Sequence, residues 1–266
     1  MSEAQDRIVS VGGDITEIVY ALGAGDRVVA TDSTSVFPEA ALATPKVGYV
    51  RRLSAEGVLS LEPDLILISG AAGPEAALEQ LRASGVTLVE METSYTIESV
   101  VEKIERVASV LDRDVEGRAY ADELKRDWSD ASARIEALDI SPSVLFFATF
   151  ADNAPRAAGR DTAAHGVIEL IGGENVFGSE TGYKALSLEA AVATDPDIIL
   201  VMDQNVDRAG GLEGLLEHPA VSLTTAVQTR QVFIVDAVKI MQFGPRIPAA
   251  IADLAATIEN GLSSRE

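Results

Sequence analysis

The amino-acid sequence predicts an α/β fold: two doubly wound lobes with mostly parallel sheets, joined by one long rigid α-helix, with a ligand cleft between the lobes. Three features predict it. Short apolar runs of strand length alternate with amphipathic stretches, as strands and crossover helices do in a parallel sheet. One unit occurs twice, "LSAEGVLSLEPDLILI" at 53–68 and "LSLEAAVATDPDIILV" at 186–201. Between the copies, residues 113–139 hold apolar side chains at helical spacing with no proline.

The elements follow in order. In the first half the apolar runs 7–12, 27–31, 65–69 and 87–91 read as strands, with helices at 75–84 and 96–111. The first lobe is expected over 1–112, the connecting helix over 113–139 and the second lobe over 140–266. In the connecting helix Val115, Ala119, Leu124, Trp128, Ala131, Ile135 and Leu138 form the apolar set. At 1.5 Å per residue such a helix runs roughly 40 Å. Its only glycine is Gly117, near the start, and it is not the Gly- or Ser-rich stretch of a flexible hinge, so large lobe closure is not expected. In the second half 144–149, 198–202 and 232–236 read as strands. Each copy of the repeat thus runs helix, Pro-Asp turn, buried strand. A weaker pair, "TEIVYALGAGDRVVAT" and "HGVIELIGGENVFGS", gives each lobe a short helix stopped by glycine. Open α/β sheets bind ligands at the C-terminal ends of their strands and at domain interfaces, which makes the cleft the expected site.

The chain has 266 residues, 47% of them apolar, enough for a sizeable core. Its formal charge of −21, from 21 Lys plus Arg against 42 Asp plus Glu, argues against a nucleic-acid partner. Small anions would bind only where the few cations gather. There is no cysteine, which excludes thiolate catalysis, Fe–S clusters, Cys-type zinc sites and disulfides. No apolar run approaches the roughly 20 residues of a membrane span, and no signal peptide is visible. The Gly-rich segments 23–29 and 172–176 end helices rather than open them, so they are not phosphate loops. No Ser-His-Asp spacing and no HExxH points to an enzyme.

Several stretches resemble one family: "RIVSVGGDITEIVYALGAGDRVVATD", "VGYVRRLSAEGVLSLEPDLIL", "GPEAALEQLRASGV", "AGRDTAAHGVIELIGGENVF", "YKALSLEAAVATDPDIILV" and "FGPRI". Together they span about Arg7 to Leu262. They are similar to the periplasmic substrate-binding proteins of ABC importers that have a long backbone helix and serve haem, cobalamin and ferric siderophores. "GYVRRLSAEG" is similar to the haem-binding (HmuT-type) branch of that group. The resemblance implies a non-enzymatic, monomeric periplasmic protein that captures haem and delivers it to an inner-membrane ABC permease. A ferric siderophore or cobalamin is the alternative ligand, and a metal-chelate-processing enzyme on the same scaffold the alternative class.

The resemblance also implies roles. Tyr49 would ligate haem iron and Arg51 would support it. Tyr is a known axial haem ligand, and ferric iron prefers the phenolate, whose ordinary pKa of about 10 a nearby guanidinium lowers. In an extended segment residues two apart share a face, which would set Arg51 beside Tyr49. The haem propionates need donors. Lys46, Arg52, Lys184, Lys239 and Arg246 are candidates, with the hydroxyls of Ser33, Thr34 and Ser35. Phe150, Val206, Met241 and Phe243 are candidate apolar contacts, and Met241 also a weak sulfur ligand. The loop 148–155, where some haem-branch members carry a second ligating His, has none. His165 and His218 read more simply as a helix N-terminal and a turn residue. Glu56 and Glu189 occupy the same repeat position, once per lobe. The helix dipole favours a glutamate there, and the resemblance implies that the pair meets arginines on the permease dimer.

Overall fold

The computed structural model describes residues 7–149 and 155–263. The first part of the chain runs β1 (Ile8–Val11), α1 (Gly13–Ala21), β2 (Val28–Thr31), α2 (Ala55–Leu59), β3 (Leu65–Ser69), α3 (Glu75–Ala83), β4 (Thr87–Met91) and α4 (Ile97–Val110). Helix α5 (Asp114–Ala137) follows. The rest runs β5 (Ser143–Thr149), β6 (Arg156–Ala158), α6 (Ala163–Leu170), β7 (Glu174–Asn175), β8 (Tyr183–Ala185), α7 (Leu188–Thr194), β9 (Ile198–Met202), α8 (Asp203–Arg208), α9 (Gly211–Leu216), α10 (Thr225–Gln228), β10 (Val232–Val235), α11 (Ala237–Met241) and α12 (Ile247–Ser263). Two compact units result. One comprises Met1–Arg126 with Gln242–Pro245, the other Asp127–Met241 with Arg246–Glu266.

The first unit is built on a parallel sheet of order β2-β1-β3-β4. β1 and β3 are apolar except for Ser10 and Ser69 because both faces are covered, and Ile8, Val9, Leu65, Ile66, Leu67 and Ile68 are fully buried. In the second unit β10, β9 and β5 pair in parallel, as expected. The sheet is then extended by β6 and β8, which pair antiparallel. Sequence reading missed these two strands. Each is three residues long, too short to show alternation.

The repeat has a structural counterpart in every part. Ser54 and Ser187 cap α2 and α7, accepting from Gly57 N and Ala190 N, each at 3.2 Å. Before each proline stands a left-handed residue, Glu62 (φ 47) and Asp195 (φ 33). Asp64 and Asp197 then accept from the backbone of the neighbouring strand's start. Arg7 N lies 3.1 Å from Asp64 Oδ2, and Ser143 N lies 2.8 Å from Asp197 Oδ2. The aspartate of each Pro-Asp turn therefore pins the register of β3 on β1 and of β9 on β5. The weaker pair also holds. α1 and α6 both end on a left-handed glycine, Gly23 (φ 73) and Gly172 (φ 74), whose successors donate back to Val19 O and Ile168 O.

Helix α5 buries Leu124, Ala131 and Ile135 of the expected stripe, with Trp128 and, just past its end, Leu138 half-buried, but it departs from the expectation in its first two turns. Gly117, Ala121, Leu124, Ala131 and Ile135 are buried, while Val115 is 70% exposed and Ala119 is exposed too. The reason is Gly117. A Cβ there would lie 2.2 Å from Ala108 Cβ, so α4 and α5 touch at the glycine and turn Val115 outward. Among the described residues no helix is long and apolar enough to cross a membrane.

Candidate ligand-binding site

The order β2-β1-β3 forces the link from β2 to β3 across the C-terminal end of β1, the place where open α/β sheets bind ligands. Tyr49 lies in that link. The backbone fastens it on both sides. Ser33 N, at the exit of β2, donates to Gly48 O at 2.7 Å. Gly73 N, beyond the exit of β3, donates to Val50 O at 3.0 Å, and Leu53 N donates to Gly73 O at 2.8 Å. Between these fastenings Tyr49 is 45% exposed, and its phenol makes no hydrogen bond among the described residues. An unengaged hard oxygen donor thus stands at the C-terminal end of the sheet.

Arg51 sits differently from the sequence expectation. Residues 49–52 form a β-turn closed by Arg52 N to Tyr49 O at 2.7 Å, so the same-face argument for an extended segment does not apply. The Arg51 charge is instead close enough to act on the phenol of Tyr95, in the loop after β4. Burial raises the pKa of Tyr95 above its usual 10.0; Arg51 opposes that shift and Asp14 adds to it. Arg51 and Arg52 are both exposed, and Arg52 makes no hydrogen bond or ion pair through its side chain among the described residues.

The loop after β2 is tied down by Asp32, which is fully buried. Its Oδ1 accepts from Gly12 N (2.9 Å) and Ser35 Oγ (2.9 Å), and its Oδ2 from Thr34 N (2.9 Å) and Thr34 Oγ1 (2.7 Å). This changes the standing of two expected ligand hydroxyls. Ser35 is fully buried and also meets Thr16 Oγ1 at 2.7 Å, so it faces the interior. Thr34 is half-buried and additionally accepts from Gly13 N at 3.2 Å. Lys46 is similarly engaged, donating to Thr31 Oγ1 (2.7 Å), Ala41 O (2.9 Å) and Ser35 O (3.0 Å). Desolvation lowers its pKa, with Asp32 opposing. These residues shape the loop from inside; Ser33 remains exposed.

Segment 242–245 also packs within the first unit. Gln242 Nε2 donates to Thr34 O at 2.9 Å, and Lys103 Nζ, which pairs with Asp14, donates to Phe243 O at 3.3 Å. Phe243 is 1% exposed and meets the Tyr95 ring edge-on, centroids 5.3 Å apart. It is core, not a free wall for a ligand. In the second unit Val206 is likewise buried in the core, Met241 is half-buried and Phe150 lies outside the described residues. Lys184 stands 3.9 Å from Glu180 and Lys239 3.6 Å from Asp236, both exposed pairs, and Arg246 is half-buried. His165 is engaged by Asn175 Nδ2 (3.1 Å) and Glu169 (3.4 Å). His218 Nδ1 accepts from Ala220 N at 3.1 Å.

Glu56 and Glu189 are both exposed, each the second residue of its helix behind a capping serine. Hydrogen bonds from its own backbone and from Ser187 hold Glu189 below the usual carboxylate range.

A family model described as "Periplasmic binding protein" matches residues 8–238. The chain belongs to that family. This periplasmic binding protein superposes on the periplasmic heme-binding protein BhuT, solved in complex with two hemes, with a TM-score of 0.91 and 37% identity, over 96% of this chain and 98% of that one. It is 27% identical over 256 residues to an uncharacterized ABC transporter substrate-binding lipoprotein, YvrC, of Bacillus subtilis (95% of this chain, 79% of the relative). It is 25% identical over 255 residues to the vitamin B12-binding protein of Vibrio cholerae (96% of this chain, 89% of the relative). The family and these neighbours are substrate-binding transport proteins, so the chain is a binding component of an ABC importer and not an enzyme.

Proposed function

We propose that this protein captures ferric haem in the periplasm through Tyr49 and presents it, as a monomer, to an ABC permease dimer through Glu56 and Glu189. One observation carries the reading: Tyr49 is an exposed phenol without a hydrogen bond, held on a loop fastened at both ends over the C-terminal edge of the sheet. Ferric iron takes up such an oxygen as phenolate, and haem enzymes use Tyr in this way. Arg51 and Arg52, exposed in the turn that carries Tyr49, supply positive charge on the ligand face of the first unit. Met241 offers an apolar contact, while Thr34 and Ser35 contribute by holding their loop. The likeness to a heme-binding protein at 37% identity supports haem over other iron chelates.

Adding ferric haem to the wild type should give a tyrosinate-type absorption spectrum. Tyr49→Ala should lose it and bind haem more weakly by more than the roughly 10–100-fold that loss of a merely supporting group costs. A wild type without a spectral change sinks the haem reading. The vitamin B12-binding relative supports a second reading, a corrinoid. Its signature would be cyanocobalamin bound equally by wild type and Tyr49→Ala.

A further inference from the structure

We propose that Arg51 and Tyr95 form a carboxylate-binding subsite on the first unit, separate in role from Tyr49. The inference rests on reading that end of the sheet as the ligand face. The loops that carry these residues are neighbours. Residues 50–53 bond to Gly73, beyond β3, and Gly70 lies so close to the loop after β4 that a Cβ on it would meet Met91 O at 2.5 Å and Thr93 Oγ1 at 2.8 Å. Tyr95 follows two residues later. Its ring is fixed edge-on by buried Phe243, whose carbonyl Lys103 holds in turn. The ring is half-buried, yet its hydroxyl makes no hydrogen bond among the described residues. A rigidly held donor without an acceptor, on a loop neighbouring the one that carries an exposed guanidinium whose charge reaches it, is complementary to a carboxylate, which accepts from both. Burial keeps the phenol protonated, so it donates where Tyr49 would ligate. Asp14 would repel an anion, but its charge is paired with Lys103.

The test compares hemin with hemin dimethyl ester, and protoporphyrin IX with its dimethyl ester, the metal-free pair read by quenching of the sole tryptophan, Trp128. The wild type should prefer each free acid to its ester by about tenfold or more. Tyr95→Phe keeps the ring packed on Phe243. It should shrink that preference to about twofold or less while hemin retains its tyrosinate spectrum. An unchanged acid preference in Tyr95→Phe overturns the subsite, as does an equal loss for acid and ester, which would mean a packing role. A wild type that binds neither acid also overturns it. If hemin gives no tyrosinate spectrum but both acids keep a Tyr95-dependent preference, the iron reading fails and the subsite stands.

Discussion

At the residue scale, the ion pair between Lys103 and Asp14 stands apart because it is buried. Lys103 and Asp14 each keep only 8% of their side chains exposed. Removing one partner leaves the other ion uncompensated, which costs about 3–5 kcal/mol. Asp14→Ala should therefore lower unfolding stability by that order in urea titrations, and the double variant Asp14→Leu, Lys103→Met should recover most of it. Tyr49 could be singled out as a candidate from the sequence because a local motif surrounds it. Tyr95 was not, because "METSY" has no pattern, and what fixes its ring is Phe243, far along the chain. The misreading of Thr34 and Ser35 had an available remedy. "DSTS" is a run of aspartate and hydroxyl residues, which tend to bond to one another and to nearby backbone in a turn. Arg51 was placed beside Tyr49 on the assumption of extended backbone, and the turn at 49–52 removes that assumption.

At the element scale, the parallel strands were legible almost to the residue, since a strand buried on both faces is an unbroken apolar run. Contacts that depend on a missing side chain were not. Gly117 reads as a weak point in a helix, yet it is where α5 touches Ala108. Gly117→Val should shift α5 off α4 and destabilise by about 1–3 kcal/mol, measured by thermal or denaturant unfolding; an unchanged midpoint would show that the contact yields easily. The Pro-Asp turns give a second prediction. Asp197 accepts from both Ser143 N (2.8 Å) and Ser143 Oγ (2.7 Å). Asp197→Ala leaves those donors to water and should cost about 1–3 kcal/mol. The same change at Asp64, which accepts from Arg7 N at 3.1 Å, should cost less.

For the whole molecule, acidity governs both docking and pH response. Charge reversal of Glu56 and Glu189 together should abolish uptake through the permease while leaving haem affinity unchanged; a loss of affinity would contradict their proposed division of labour from Tyr49. His218 is held below its ordinary 6.5 by burial. The unfolded chain therefore binds its proton first. The stability tied to neutral His218 is complete above pH 6.5 and is lost as pH falls through the lower folded value. Asp195, bonded to Thr225 N and Oγ1, and Glu90, bonded to Arg82, are depressed too, and their contributions are lost below the usual carboxylate range. Unfolding free energy should fall in two stages on acidification, and His218→Asn should flatten the first. Residues 242–245 have a different consequence, one of timing. The ribosome finishes residues 1–126 long before it reaches Phe243, so during synthesis Lys103 lacks one of its two acceptors and Tyr95 its ring partner. The first unit to be made is complete only once residues 242–245 are present, and a chain truncated before residue 242 should be cleaved at Tyr95 by protease faster than the full chain.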